Sequence, residues 1–178
     1  MRNLARHLWL MRYPLKLAGM DLQRNVTVVR LESAQVVLLS SGPFSEQDAA
    51  LIRDIGQPCW LVEAMQRHDT YSREGWAAFP GIAFLAPPGF AEKVDFPVAP
   101  ILPPPPEWSD ELQALELGGL PASRETVFFH APSRTLIVQD LAFNFPGDHP
   151  LREEILLRLA VGKHHAPGVP RTIPLQVK

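Results

Sequence analysis

Two stretches decide the fold: Leu61-Val-Glu-Ala-Met-Gln-Arg-His68 and Thr126-Val-Phe-Phe-His-Ala-Pro-Ser-Arg-Thr-Leu-Ile-Val-Gln-Asp140. The first leaves the strand-like Cys59-Trp60-Leu61-Val62 and enters a loop holding a carboxylate, a guanidinium and an imidazole. The second holds two β-branched and aromatic runs, Thr126 to Phe129 and Thr135 to Val138, around Ala131-Pro-Ser-Arg134. That is the pattern of a hairpin, and it ends near Asp140. Together they look like two halves of a metal site that has lost most of its ligands.

Upstream, Val26 to Leu31 and Val36 to Leu39 are apolar runs joined by Glu32-Ser-Ala-Gln35, which predicts another hairpin. Ser45 is a good N-cap, and Asp48 completes a capping box. Ala49, Leu51, Ile52 and Ile55 then give a helical apolar face that Gly56 ends. Pro58 to Val62 is a third strand. Arg73 to Phe79 predicts a short helix ending at Pro80-Gly81, and Ile82 to Leu85 a fourth strand stopped by Pro87-Pro88-Gly89.

The stretch Phe96-Pro-Val-Ala-Pro-Ile-Leu-Pro-Pro-Pro-Pro106 lacks the amide donors of a central strand or a helix. It is expected as an extended connector lying against the core, in preference to a ligand for a proline-reading domain. Leu112, Leu115 and Leu117 follow, as a strand or a helical turn before Gly118-Gly119. Leu151 to Val161 predicts a helix with Leu151, Ile155, Leu156, Leu159 and Ala160 on one face, closed by Gly162.

The 178 residues suit one domain. Hydrophobic residues at 46% can fill a sizeable core, and a net charge of −2 argues against non-specific nucleic-acid binding. Cys59 alone excludes an internal disulfide, and no charge within three residues favours its thiolate. No apolar run reaches the roughly 18 residues of a membrane span.

Residues 1–20 carry Arg2, Arg6, Arg12 and Lys16 among Leu4, Leu8, Leu10, Leu15 and Leu17. They are expected as a basic amphipathic leader packed on the domain, not a targeting segment, since no small-residue cleavage site follows. Residues 21–162 form the domain, and 163–178 a proline- and histidine-containing tail, loop or disordered. A cytoplasmic location is expected.

The order of these elements resembles the metallo-β-lactamase-like αββα sandwich, an α/β (mixed α+β) fold. It is more closely similar to an uncharacterised domain-of-unknown-function family at the degenerate edge of that superfamily. The likeness runs from about Leu8 to Phe145. It rests on Trp9-Leu-Met-Arg-Tyr-Pro-Leu-Lys-Leu-Ala-Gly19, Val26-Thr-Val-Val-Arg-Leu31, Arg67-His68, Trp76-Ala-Ala-Phe-Pro80, Ala86-Pro-Pro-Gly89 and Phe129 to Asp140.

Active members of that superfamily carry His-x-His-x-Asp-His on the loop after a strand. The matching stretch here is Glu63-Ala-Met-Gln-Arg-His68. Glu63 stands at the first histidine, Met65 at the second, Arg67 at the aspartate, and His68 at the last histidine. Asp140 matches the aspartate that bridges two metals, although Gln139 replaces the usual glycine. The third histidine motif would fall near Leu120-Pro121-Ala122, which has none. His130 sits at the hairpin turn, and the spacing of His149, His164 and His165 assigns them no role.

The resemblance therefore implies a metal set of His68, Asp140 and Glu63, and no catalytic residue. A catalytic zinc site needs about three protein ligands and an open position. Arg67 would oppose a dication and could pair with Asp140 or Glu63. The His68-Asp69 pair reads as a loop histidine beside a capping aspartate. The expected function is a non-catalytic scaffold that binds a ligand or partner, with no cofactor. The alternative is a metal-dependent hydrolase with a residual mononuclear site, holding zinc, iron or manganese at low occupancy. The chain is short for the superfamily, as if shortened at the C-terminus. The surface this leaves suits a homo-oligomer.

Overall fold

The computed structural model describes residues 1–17, 19–66, 69–118, 125–145, 150–161 and 167–170. Seven strands form one mixed sheet in chain order: β1 (Arg2–Ala5), β2 (Leu8–Leu17), β3 (Met20–Arg30), β4 (Gln35–Leu39), β5 (Gln57–Val62), β6 (Ala83–Ala86) and β7 (Ala99–Pro100). Strands β1 to β4 pair antiparallel, and β4 to β7 pair parallel. A second, antiparallel sheet holds β8 (Leu112–Glu116), β9 (Thr126–His130) and β10 (Thr135–Ile137), with β9 central.

The central strands β4, β5 and β6 are buried on both faces because they end in continuous apolar runs, whereas β2 and β3 alternate. Val26, Val28, Val36, Leu38, Leu61 and Phe84 point to one face, where they meet Ala49 and Ile52 of α1 (Glu46–Ile55). Trp76 of α2 (Ser72–Ala77) packs against the same cluster. Val29, Leu31, Val37, Leu39, Trp60, Val62 and Leu85 point to the other, where they meet Leu112, Phe128 and Ile137 of the small sheet. The layers therefore run helix, sheet, sheet. The parallel βαβ units place the carboxyl ends of β4, β5 and β6 along one edge.

Several expectations hold. Ser45 caps α1 with the reciprocal Asp48 bond, and both expected hairpins form. The proline stretch supplies only the two-residue edge strand β7 and buries Ile101.

Others need correction. The expected leader is drawn into the sheet as β1 and β2, and β2 pairs along its whole length with β3, from Leu8↔Val29 to Leu17↔Met20. The deciding pattern has period two. Trp9, Met11 and Tyr13 pack toward the helices, while Arg12 and Lys16 remain exposed. Cys59 is half-buried against the sandwich interior.

Helix α3 (Leu151–Val161) has the expected bounds but not the expected burial. Leu151, Ile155 and Leu159 are exposed, and Leu157 alone among its described side chains is buried. Ala160's side chain and Gly162 lie outside the described residues. So does most of the tail, but Gly168 is tied to Phe143 by two backbone hydrogen bonds of 2.9 Å. No helix among the described residues is long and apolar enough to cross a membrane.

Candidate functional site

The carboxyl ends of β4 and β5 bring Ser40, Ser41 and Glu63 together. Ser40 N–H donates to Val62 C=O (2.8 Å), and Glu63 N–H donates to Leu85 C=O (2.9 Å). These bonds continue the sheet ladder one residue past each strand. Glu63 follows Leu61 on the helix-facing row and is fully buried.

A buried carboxylate needs a partner, and β3 supplies one. Arg24 continues the row of Val26 and Val28 and is itself buried. Its Nη2 donates to Glu63 Oε2 at 2.7 Å, and its Nε to Ser41 C=O at 3.3 Å. The Ser41 N–H donates to the other carboxylate oxygen, Oε1, at 2.8 Å. Both oxygens of Glu63 are thus engaged, one by a full positive charge. The hydroxyls of Ser40 and Ser41 are buried beside this network without partners among the described residues. Ser40 holds a positive φ of 90°, which is uncommon for a residue with a Cβ.

Asp140 shares a cleft with Arg24, the partner of Glu63. The cleft, of about 440 Å³, lies between the β2–β3 hairpin and residues 138–145. Arg12 and Asn25 are cross-strand partners at the wall, Gln23 and Thr27 extend the Asn25 row, and Phe143 and Asn144 lie opposite. A residue the sequence did not flag holds the Asp140 segment in place. Glu125 is buried, and its two carboxylate oxygens accept from the N–H groups of Gln139 (2.7 Å) and Asp140 (3.1 Å). Its only sequence signal is a lone acid directly before an apolar strand.

His130 is buried at the end of β9, on the row facing the sandwich interior. Its Nδ1 lies 2.6 Å from Ser133 Oγ, and its Nε2 is buried with no partner among the described residues. Burial holds its imidazole below the usual pKa, with the Glu111 charge partly offsetting and His7 reinforcing this.

Of the expected metal set, Glu63 lies in the ion pair and Asp140 in the cleft, while His68 lies outside the described residues. So do Arg67, the 120–122 segment, His149, His164 and His165. Among the described residues no three His, Cys, Asp or Glu side chains gather as a metal site would require. The cation on Glu63 is Arg24, a residue the sequence reading did not consider.

No family model matches the chain, and no curated relative matches it. Solved structures do. The chain is similar to a metallo-β-lactamase from Hirschia baltica (TM-score 0.62, 12% identity, 80% of this chain and 71% of that one). It is similar to one from Pontibacter korlensis (TM-score 0.59, 13% identity, 82% and 73%). A third is the FIM-1 metallo-β-lactamase from Pseudomonas aeruginosa in its mono-zinc form (TM-score 0.53, 14% identity, 71% and 62%). The chain has the metallo-β-lactamase fold, an αββα-type sandwich.

That fold raises the question of a metal. Glu63 as arranged does not fit one. A dication on its carboxylate would face a guanidinium already within hydrogen-bonding distance, and like charges this close in a dry interior repel strongly.

Proposed function

We propose that this chain is a metallo-β-lactamase-fold protein that has given up the metal at Glu63 and uses the scaffold to bind a ligand or a partner. One observation carries this reading: the buried Arg24–Glu63 ion pair, 2.7 Å long, at the position the resemblance matches to the first metal-binding histidine. The guanidinium neutralises the carboxylate and satisfies it in the same step. A charge fixed by covalent attachment to β3 cannot polarise and release a water as a metal does. What the site offers is recognition. Arg12, Gln23, Asn25 and Asn144 give the cleft donors and acceptors, and Phe143 gives it an apolar surface.

A second reading keeps a residual mononuclear hydrolase site at His68 and Asp140. The observation favouring it is the pair of hydrogen bonds by which Glu125 holds the backbone at Gln139 and Asp140, as a ligand-bearing loop requires. A bound metal would supply an activated water there; the chain's own residues would hold and orient it.

The test is elemental analysis of untagged, natively purified protein beside a His68→Ala, Asp140→Ala double variant. The scaffold reading expects no stoichiometric metal in either. About one zinc, iron or manganese per chain, lost in the variant, would overturn it and establish the second reading.

A further inference from the structure

One edge of β3 carries backbone groups with no strand beside them. Strand β4 pairs with β3 only from Thr27 to Arg30. Among the described residues no strand takes that edge from Met20 to Val26. Register shows which groups are left. The Arg30 N–H donates to His7 C=O at 3.0 Å, and the Leu31 N–H to Gln35 C=O at 2.8 Å. Bonded residues alternate along an antiparallel strand, and neither pairing of β3 is interrupted by a bulge. Even-numbered residues of β3 therefore bond to β2, and odd-numbered ones point to the β4 side. Beyond the end of β4 these are Asp21, Gln23 and Asn25. All three are exposed and line the cleft.

The far wall of the cleft is aromatic. Phe143 and Phe145 line it, with ring centroids 5.5 Å apart and planes at 11°. The two backbone bonds between Phe143 and Gly168 bring residues 167–170 to this wall. Next in the chain comes Arg171-Thr-Ile-Pro-Leu-Gln-Val-Lys178, which lies outside the described residues. Its Ile173, Leu175 and Val177 alternate with Thr172, Pro174 and Gln176, the pattern of a half-buried strand. Pro174 decides which row can bond. It has no N–H, so in an edge strand it belongs to the row facing away from the sheet. Ile173, Leu175 and Val177 are left to bond, three alternate residues for the three on β3. Eight extended residues span about 26 Å, and the five from Asp21 to Asn25 about 17 Å.

We propose that residues 171–178 occupy the cleft as an antiparallel strand added to β3, with Ile173, Leu175 and Val177 bonded to the Asp21, Gln23 and Asn25 edge. Main-chain bonds hold such a strand, and its alternate side chains place it. Opposed residues of an antiparallel pair share a face, so the three apolar side chains join the row of Asn25 and Thr27. That row continues into Val29 and Leu31, which face the small sheet, and from that side β10 leads into residues 138–145. Parallel addition would turn them to the opposite face, with Arg24. Tethered at Gly168, the segment competes with any ligand of the cleft at high effective concentration. The contact needs neither that ligand nor a metal, so it stands apart from the reading of the cleft as a ligand site.

Amide hydrogen exchange on the full chain, read residue by residue by NMR, tests it. The Gln23 and Asn25 amides should exchange at least about 100-fold more slowly than unprotected ones. Leu175→Asp should return both to unprotected rates. The Arg24 and Val26 amides, bonded to β2, should keep their protection, and far-UV circular dichroism should not change. Gln176→Asp, on the row facing away, should leave Gln23 and Asn25 protected. Light scattering should give 20 kDa, the 19.9 kDa of one chain. Unprotected Gln23 and Asn25 amides in the unaltered chain overturn the proposal. So does protection that survives Leu175→Asp, because another segment would then cover the edge. Loss of protection in Gln176→Asp overturns the register. A mass near 40 kDa would assign the strand to a second copy and overturn the contact within one chain.

Discussion

Glu63 is fully buried with both oxygens bonded, so its cost to the fold depends on Arg24. Removing one member of a buried pair strands the other charge. Arg24→Met is therefore expected to lower stability by about 3–5 kcal/mol. Adding Glu63→Leu should recover most of that loss, since an apolar pair of similar volume is often neutral. Urea unfolding of the two variants measures both quantities; a double variant no more stable than Arg24→Met would show that the pair does not act as a unit. The sequence made Glu63 conspicuous, because a carboxylate directly after an apolar strand demands explanation. It did not reveal Arg24. The two residues are 39 positions apart and meet only because β4 lies between their strands. His130 gives a second prediction. Burial lowers its folded-state pKa below the ordinary value, so the unfolded chain binds the proton more readily. The neutral ring's contribution is fully present above about pH 6.5 and is lost as pH falls through the depressed folded pKa. Urea midpoints of the unaltered chain and His130→Gln, taken at pH 7.5 and pH 5, should differ in slope. The unaltered chain should lose more stability on acidification.

Local elements were legible where the signal lay within a few residues. Ser45 and Asp48 form the reciprocal cap, with Ser45 Oγ accepting from Asp48 N–H at 3.1 Å and Asp48 Oδ2 accepting from Ser45 N–H at 3.0 Å. Ser45→Ala should cost about 1 kcal/mol, read as a shift in the urea midpoint without a change in slope. The β2 strand was less legible, because its basic residues and leucines also fit an amphipathic leader. What decides is its partner: β3 offers a ten-residue register that no local pattern announces. The face of α3 was misread for a related reason. Periodicity states which residues share a stripe, not which stripe is covered. Helix α2 shows how tightly the elements close on the Arg24–Glu63 region. A Cβ on Gly75 would lie 2.9 Å from Ser41 Cβ and 3.3 Å from both Gly42 O and Leu61 Cδ2. Gly75→Ala should therefore destabilise by about 1–3 kcal/mol through overpacking, despite the better helix propensity of alanine. A thermal midpoint equal to or above that of the unaltered chain would refute this.

At the scale of the whole molecule, the joint between the two sheets is aromatic. Trp108 is fully buried, with ring centroids 6.1 Å from both Trp60 of the large sheet and Phe128 of the small one. The layer order was readable from the alternation of strands and helices, since each apolar face must find a cover. The joint was not, because Trp108 comes from the end of a proline-dense connector that reads as surface. The short helical turn at Pro106–Trp108 turns the ring inward. A fully buried indole in contact with rings of both sheets leaves a large cavity when truncated, so Trp108→Ala should cost about 3–5 kcal/mol. Trp108→Phe keeps most of the volume and removes an indole N–H that is buried without a partner among the described residues, so its cost should be smaller. The two substitutions should also differ in where the loss falls. With the joint emptied, the small sheet can open while the apolar central strands of the large sheet stay closed. Native-state hydrogen exchange on Trp108→Ala should then show earlier exchange of the Phe128 and His130 amides, with those of Val28 and Leu38 protected nearly to the global unfolding free energy. Equal loss of protection at all four amides would mean instead that the sheets unfold as one unit, held together by the wider core and not by this ring.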